Sequence, residues 1–212
     1  MQITKDQFLA WEGFYAKGTP EEASDLWETF DRAVNNIIPV QRQPEFLAQC
    51  AYESAYFRLK DENLRYKTPQ RIMKVFKRVK TLKQAKRLIK NPKALAKAAY
   101  YSHPSLGNNS EGAKALYKVG WIVWDFRGQG WIQLTGYDNW ESFKKDTGID
   151  CFQNKTYFMD HPWEASAYFW KKNDLDYCPN MKSMTRKING GYNGVANREK
   201  ILRQIYQTMR RF

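Results

Sequence analysis

The sequence predicts a mainly α fold with one small β-hairpin element. Helix-starting residues, a Pro or a Thr or Asn cap, recur before apolar residues that are spaced three and four positions apart. Residues 120–126 form the one convincing strand candidate, and no alternation of strands and helices surrounds them. With 212 residues and 42% hydrophobic content, the chain is long enough for one substantial core. We therefore expect a single domain over residues 1–212.

The N-terminal part, residues 1–40, is predicted to be a helical lobe. A first helix is expected over residues 4–17. The sequence Thr19-Pro20-Glu21-Glu22 has the spacing of a capping box with Pro in the first turn, so a second helix should begin there. A third helix is expected to begin at Pro44, and its apolar stripe carries Phe46, Cys50 and Phe57.

Residues 41–66, the predicted third helix and the loop after it, hold two glutamates in different settings. Glu53 falls on the apolar stripe, where burial would keep its carboxyl protonated, as a general acid requires. The alternatives are a carboxylate that reaches solvent or one held by an Arg. Glu62 follows in a polar run and is expected to stay solvated and ionised. Two carboxyls in opposite settings suit the acid and base roles of glycoside hydrolysis.

Residues 67–101 are predicted to be a basic helical lobe whose short helices begin at Thr68-Pro69, Thr81 and Asn91-Pro92. Residues 65–97 contain thirteen Lys or Arg, and no Asp or Glu occurs between positions 63 and 110. The remaining 22 cations and 22 acids cancel, so this segment carries the whole net charge of +13. Such a patch suits a polyanion, although solvated lysine faces on ordinary helices would give the same pattern.

Residues 102–212 are predicted to contain a long cleft loop, a strand and the C-terminal helices. Residues 102–120 are rich in Gly, Asn, Ser and Pro, which is typical of an exposed loop. After the strand at 120–126, the glycines of residues 127–136 lack the third glycine of a dinucleotide-binding motif, and we expect them to let the backbone approach a ligand. Further helices are expected to begin at Tyr137, Pro162 and about Val195.

Cysteine and histidine usage argues against a disulfide framework and a metal site. The three cysteines are an odd number without a CxxC pair, and the two histidines do not form an HExxH motif. We expect no metal and no other cofactor. The N-terminal residues lack the apolar region of a signal peptide, and no apolar run is long enough to cross a bilayer. The protein is therefore expected to be made and folded in a cytosol.

Three groups of motifs together resemble the glycoside hydrolase family 19 chitinase-like endolysins of bacteriophages. The first is Ala-Tyr-Glu-Ser at 51–54 with Glu-Asn-Leu-Arg-Tyr at 62–66. The second is Phe-Arg-Gly-Gln-Gly-Trp-Ile-Gln-Leu-Thr-Gly at 126–136. The third is Ile-Asn-Gly-Gly-Tyr-Asn-Gly at 188–194, which ends in Arg198. The resemblance implies a lysozyme-like fold, a helical bundle around a catalytic cleft.

The resemblance also implies site residues. Glu53 would be the general acid, Glu62 the general base, and the Thr135 hydroxyl would help Glu62 hold the attacking water. Arg198 would support the catalytic carboxylates. The residues expected to bind substrate are Tyr66, Gln133, Asn139, Asn189 and Arg198. The implied mechanism is inverting, with carboxyls about 6.5–9.5 Å apart.

Purely structural roles are an alternative for several of these residues, and one position departs from the family pattern. From the residues alone, Asn139 could cap a helix, Asn189 could sit in a turn and Arg198 could be a surface cation. The family's usual His before the acid is Tyr52 here. Any role of that imidazole therefore passes to a phenol or is lost.

The leading hypothesis is a monomeric phage endolysin that hydrolyses β-1,4 bonds in the glycan strands of peptidoglycan. It would wait in the host bacterial cytoplasm and reach the periplasm and cell wall after a holin-type membrane protein permeabilises the membrane. The basic segment would draw it to an anionic envelope.

The closest alternative is a chitinase that acts on N-acetylglucosamine polymers. From another class come a basic nucleic-acid-binding protein and a non-enzymatic glycan-binding protein. We expect no nucleic-acid partner, because few aromatic residues interleave with the cations. Both glutamates are present, which argues against a relative that has lost its activity.

Overall fold

The computed structural model describes residues 2–11 and 20–212, with only the backbone described for Pro20 and Glu21. Over these residues the fold is mainly α, which confirms the predicted fold class. The α-helices are, in chain order, α1 (Lys5–Ala10), α2 (Pro20–Val34), α3 (Gln43–Glu53), α4 (Pro69–Val75), α5 (Leu82–Leu88), α6 (Pro92–Tyr100), α7 (Glu111–Lys118), α8 (Tyr137–Thr147), α9 (Tyr157–Asp160), α10 (Pro162–Lys172), α11 (Met181–Asn189) and α12 (Val195–Met209). Short 3-10 helices cover Val40–Arg42, Val123–Phe126, Cys151–Gln153 and Leu175–Tyr177.

The chain forms two compact units. The first unit comprises the described residues up to Lys60, together with Gly130–Gln133 and His161–Phe212. The second unit comprises Asp61–Gln129 and Leu134–Asp160. Each unit has its own buried core, and each is described in turn.

The core of the first unit is aromatic and surrounds α3. Phe46 on α3 meets the ring of Trp170 edge-on at 5.4 Å, and Phe30 on α2 meets Trp163 edge-on at 5.0 Å. These rings are fully buried, and edge-to-face pairs add to the gain from burial. Nearly every residue of α3 from Gln43 to Ala51 is buried, so the helix is fixed from all sides.

The second unit contains two clusters of buried side chains. One lies under α4, α5 and α6 and includes Ile72, Ala85 and Leu95. The other is aromatic, with Trp140 and Phe158 at 4.6 Å between ring centres. The helices of the first cluster begin where the sequence predicts, because the side chains of Thr68, Thr81 and Asn91 accept backbone N–H groups at their first turns.

The prediction of a strand at 120–126 is wrong. Residues 123–126 form a 3-10 turn instead, in which the Asp125 carboxylate accepts the backbone N–H of Ile122 at 2.8 Å. Within the described residues the predicted β-hairpin element is reduced to two isolated bridges, between Asp61 and Gln129 and between Gln129 and Leu134. A strand needs a neighbouring strand to pair with, whereas the Asp125 side chain satisfies this backbone locally.

The prediction of one long exposed loop over residues 102–120 is also wrong, since α7 lies within it. Ser110 caps this helix by accepting the backbone N–H of Ala113 at 3.2 Å. At the N-terminus, α1 ends at Ala10, and residues 12–17 of the expected first helix lie outside the described residues. Thr19 of the expected capping box lies outside them too, although α2 does begin at Pro20.

Two further findings concern side-chain chemistry and membranes. Cys50, Cys151 and Cys178 are buried free thiols. In residues 2–11 and 20–212, no group of three or more His, Cys, Asp or Glu side chains is arranged to hold a metal ion. None of the described helices is both long and apolar enough to cross a bilayer.

Candidate active site

Glu53 is the last residue of α3, and the residue after it closes the helix. Ser54 is buried, and its hydroxyl donates to the carbonyl of Cys50 at 2.6 Å and accepts the N–H of Phe57 at 2.8 Å. The hydroxyl thus satisfies one carbonyl of the last turn and one N–H of the turn that follows. This closure fixes the backbone that carries Glu53.

The chain leaves Glu53 through a left-handed turn. Ala55, Tyr56 and Phe57 have φ values of 51°, 59° and 61°, a conformation that side chains other than glycine rarely adopt. The N–H of Tyr56 donates to the carbonyl of Ala51 at 2.6 Å, and the ring of Phe57 packs 5.2 Å from that of Trp131. Packing and hydrogen bonding therefore hold a strained turn directly after Glu53.

A buried arginine holds the Glu53 carboxylate. Arg198 on α12 is 1% exposed, and its Nη2 donates to Glu53 Oε1 at 2.5 Å. Its Nη1 donates to the side-chain oxygen of Gln49, which lies one turn before Glu53 on α3. The Glu53 side chain is 25% exposed. The apolar setting expected for Glu53 is therefore not found. The structure shows the alternative instead, a carboxylate held by an Arg.

Tyr52 supports this arginine from its ring face. The Arg198 guanidinium lies 4.2 Å from the centre of the Tyr52 ring, within the range of a cation–π contact. Gly194 has a φ of +80°, and a Cβ there would lie 2.2 Å from the Tyr52 hydroxyl. Position 194, just before α12, must therefore be glycine for the Tyr52 phenol to fit. The Tyr that replaces the family's His thus contacts the cation that holds Glu53.

Glu62 belongs to the second unit, and Tyr100 at the end of α6 binds both of its oxygens. The Tyr100 hydroxyl lies 2.6 Å from Oε1 and 2.7 Å from Oε2 and shares its proton between them. Burial raises the pKa of the Glu62 carboxyl, and hydrogen bonds from Tyr100 and the Gly128 backbone oppose the rise. The expectation of a solvated Glu62 is wrong, because the carboxylate is partly buried and has dedicated donors.

The backbone around Glu62 is tied to the glycine-rich segment of the same unit. The Glu62 N–H donates to the carbonyl of Gly128 at 2.8 Å. Next to it, both Nε and Nη2 of Arg127 donate to Asp61 Oδ2, at 2.9 and 2.8 Å. The Arg127 guanidinium also stacks on the ring of Trp124 at 4.3 Å. Glu62 therefore sits on a backbone fixed by charge-assisted hydrogen bonds.

Thr135 follows the bridge between Gln129 and Leu134 in the second unit. Its carbonyl accepts the Asn139 side-chain N–H at 2.7 Å, across the first turn of α8. The structure thus brings Thr135 and Asn139 together. Asn139 does not cap α8, because the N-cap is Gly136 and no side chain caps the helix there. Gln133 is half-buried and belongs to the first unit.

Two of the remaining predicted substrate-binding residues have structural partners in their own units. The exposed Asn189 side chain accepts the N–H of Gly191 at 2.9 Å and donates to the carbonyl of Asn193 at 3.2 Å, so it fixes a turn. The Tyr66 ring packs edge-on against Phe76 at 5.3 Å, and burial raises the pKa of its phenol.

Two glycines of the segment 127–136 lie close to other parts of the protein. A Cβ at Gly130 would lie 2.9 Å from the Cβ of Ala165 on α10, and one at Gly136 would lie 2.8 Å from Leu106. Both residues also have positive φ. At these two positions glycine therefore lets the backbone pack closely against neighbouring protein atoms.

Sequence reasoning missed Gln49 and Tyr100. Gln49 precedes Glu53 by four residues, so helical spacing alone places the two side chains on one face of α3. Tyr100 is 38 residues from Glu62, and no local pattern joins them. The predicted site residues divide between the units: Glu53 and Arg198 meet in the first, and Glu62 and Thr135 lie in the second.

Comparison with known proteins found a relative in Haemophilus influenzae (strain ATCC 51907 / DSM 11121 / KW20 / Rd). It is described as a glycosyl hydrolase family 19 domain-containing protein. It is 34% identical over 171 residues, which span 79% of this chain and 80% of the relative. No family model matches the chain.

Proposed function

The chain belongs to glycoside hydrolase family 19, and we propose that it hydrolyses β-1,4 bonds in the glycan strands of peptidoglycan. One observation carries the proposal. Both glutamates of the family motif are present, and each is held by a dedicated polar partner within its own unit, Glu53 by Arg198 and Glu62 by Tyr100. Positioned carboxyls of this kind are what acid and base catalysis of glycoside cleavage requires.

In the proposed reaction Glu53 is the acid. Arg198 contacts Oε1 of Glu53, and we assign the donated proton to Oε2. This proton passes to the glycosidic oxygen as the bond from that oxygen to the anomeric carbon breaks. The fixed contact with Arg198 would keep the carboxyl from rotating, and the sugar leaves as an alcohol.

Glu62 is the proposed base, with Thr135 as the residue that helps to position water. The Glu62 carboxylate takes a proton from a water molecule, whose oxygen forms the new bond to the anomeric carbon with inversion. Burial raises the pKa of Glu62, and a more basic carboxylate removes a proton more readily once it is ionised. The Thr135 hydroxyl can both donate to Glu62 and accept from the water.

The first experiment measures release of reducing ends from purified Gram-negative peptidoglycan by the parent and by Glu53→Gln. This substitution keeps the shape of the side chain and removes its proton, so release should fall about 100-fold or more. Glu28→Gln is the matched control, because Glu28 is exposed on α2 in the same unit. Equal release by the parent and a folded Glu53→Gln variant would overturn the assignment of Glu53.

Chitin is the second candidate substrate, since family membership supports a β-1,4 glycan with N-acetyl groups and the two polymers share that backbone. The same assay on chitin oligomers separates the two substrates. Preference for peptidoglycan supports our proposal. Release from chitin alone would replace it with the chitinase function.

We further propose that the enzyme is a phage endolysin that lyses its host from within. The motif resemblance to phage endolysins supports this role. Expression in a Gram-negative host should leave the culture intact until a pore-forming membrane protein is induced, after which optical density should collapse. Collapse with a Glu53→Gln variant, or without the pore, would contradict the proposed route from host cytoplasm to cell wall.

A further inference from the structure

A groove of about 640 Å³ lies in the second unit, along one side of α6. One wall is a row of side chains spaced four residues apart on α6 and its end, Lys93, Lys97 and Tyr101. The other lining residues come from α7 and the segment before Phe126, and they include Tyr117, Ile122 and Trp124. The lining includes neither Glu62 nor Thr135, so the groove is separate from the residues assigned to catalysis in this unit.

The groove is cationic at one wall. Lys93 and Lys97 are exposed, and no acidic side chain is among the residues that line the groove. The surrounding sequence adds to this charge, because no Asp or Glu occurs between positions 63 and 110. On one helix face the two lysines lie about 6 Å apart along the axis. The groove therefore presents two positive charges carried on neighbouring turns of one helix.

The rest of the groove is apolar and rigidly supported. Ile122 is 42% exposed, so part of its apolar surface is open to a ligand. Trp124 is braced on one face by the Arg127 guanidinium at 4.3 Å. The Tyr117 hydroxyl donates to the Asn108 carbonyl at 2.6 Å, and burial raises its pKa to about 12, so this phenol stays neutral. A ligand that fits would combine apolar groups with negative charges.

We propose that this groove binds the acidic peptide that branches from the glycan strand of peptidoglycan. The inference rests on the proposed function and deepens it. In an extended peptide, side groups on one face recur about every 6.5 Å, which matches the spacing of Lys93 and Lys97. Aliphatic groups between the carboxylates would contact Ile122 and Trp124. Chitin carries neither peptide nor carboxylate, so the groove distinguishes the two polymers where the catalytic groups do not.

The test compares binding of two soluble fragments by the full chain with Glu53→Gln, which prevents cleavage. The first fragment is the peptidoglycan disaccharide carrying its acidic tetrapeptide, and the second is the same disaccharide after the peptide is removed. Isothermal titration at low salt should give about fivefold to tenfold tighter binding of the first, since two exposed ion pairs contribute on this scale. Adding Lys93→Gln and Lys97→Gln should abolish this difference.

Two double variants serve as controls. Lys83→Gln with Lys86→Gln removes the same charge from exposed positions on α5 outside the groove, and it should keep the preference for the peptide-bearing fragment. Lys93→Arg with Lys97→Arg keeps the charge and should keep most of the preference. A loss that is equal in the α5 variant would overturn the groove assignment in favour of general attraction.

Other outcomes also decide the matter. Equal affinity of the parent background for both fragments would overturn the inference. So would a single-stranded oligonucleotide that binds more tightly than the peptide-bearing fragment and loses its binding when Lys93 and Lys97 are neutralised. Failure of the proposed function is seen separately, as absence of reducing-end release by the unmodified enzyme.

Discussion

At the scale of single residues, the hydrogen bond from Tyr100 to Glu62 controls the proposed base. The phenol donates to both carboxylate oxygens, and burial together with the carboxylate raises the pKa of Tyr100, so it remains a donor. A donor stabilises the ionised carboxylate, whereas burial destabilises it. The two effects oppose each other, and burial is the larger because the pKa of Glu62 is raised overall.

Tyr100→Phe should therefore shift the pH dependence of hydrolysis. Removing the donor leaves burial less opposed, so the pKa of Glu62 rises further and a higher pH is needed to ionise the base. We expect the acidic limb of the profile of kcat/KM against pH to move up by about 1 pH unit, the size of one hydrogen bond to a charged group.

The control for this change is Tyr206→Phe, because burial and the nearby charge of Glu45 raise the pKa of the Tyr206 phenol in the first unit. It removes a phenol hydroxyl near a carboxylate other than Glu62, and the acidic limb should stay where it is in the parent. An unchanged limb in Tyr100→Phe, or a shift to lower pH, would show that Glu62 does not act as the ionised base.

At the scale of elements, the left-handed turn after α3 stores strain. Ala55 is exposed and has a φ of 51°, so its side chain contributes little packing to offset an unfavourable backbone. A residue with a Cβ in this region costs about 1–2 kcal/mol, and glycine loses about 0.5–1 kcal/mol more backbone entropy on folding. Ala55→Gly should therefore stabilise the fold by about 0.5–1 kcal/mol in urea unfolding.

The same substitution in a regular helix should have the opposite sign. Ala115 is exposed on α7, a regular helix, so replacing it by glycine relieves no strain from a positive φ. In a helix, glycine costs about 1 kcal/mol relative to alanine. Ala115→Gly is thus the matched control for Ala55→Gly. If both variants lose stability equally, the turn after Glu53 is not strained.

Local signals decide which elements the sequence predicts correctly. The starts of α4, α5 and α6 are confirmed because each depends on one side chain that caps its own first turn. Ser110 carries the same signal, but the surrounding Gly, Asn and Pro residues indicate a loop, and α7 was not predicted. The prediction of a strand at 120–126 is wrong because an aromatic and β-branched run meets only one requirement of a strand. A strand also needs a second strand to pair with.

In the candidate site, too, local signals predict only part of what the structure shows. Motif resemblance locates Glu53, Glu62 and Arg198 in the sequence, but their environments depend on residues that are distant in the chain. Arg198 is 145 residues from Glu53, and Tyr100 is 38 residues from Glu62. No periodicity within α3 indicates a cation at its end. For this reason the predicted settings of the two glutamates, apolar for Glu53 and solvated for Glu62, differ from those in the structure.

At the scale of the whole molecule, charge is concentrated in one segment. The thirteen cations of residues 65–97 equal the net charge of +13. We propose that this charge attracts the enzyme to an anionic envelope. The reach of such an attraction depends on salt, since the screening length falls from about 10 Å at 0.1 M to about 3 Å at 1 M. Lysis of outer-membrane-permeabilised cells should therefore fall steeply as ionic strength rises.

Neutralising part of the segment should flatten this dependence. Lys83→Gln, Lys86→Gln and Arg87→Gln together remove three exposed charges from α5. The matched control removes three exposed charges from the first unit, Lys182→Gln, Lys200→Gln and Arg203→Gln. Lysis that is insensitive to salt, or equally altered in both triple variants, would remove the role of the basic segment.

The pairing of α3 with α12 has a consequence for how the enzyme is made. Glu53 emerges from the ribosome early, whereas Arg198, which holds its carboxylate, comes on the last helix. A nascent chain thus has the proposed acid without its cation until α12 has been synthesised. For the proposed endolysin, the order of the chain itself would delay the arrival of activity.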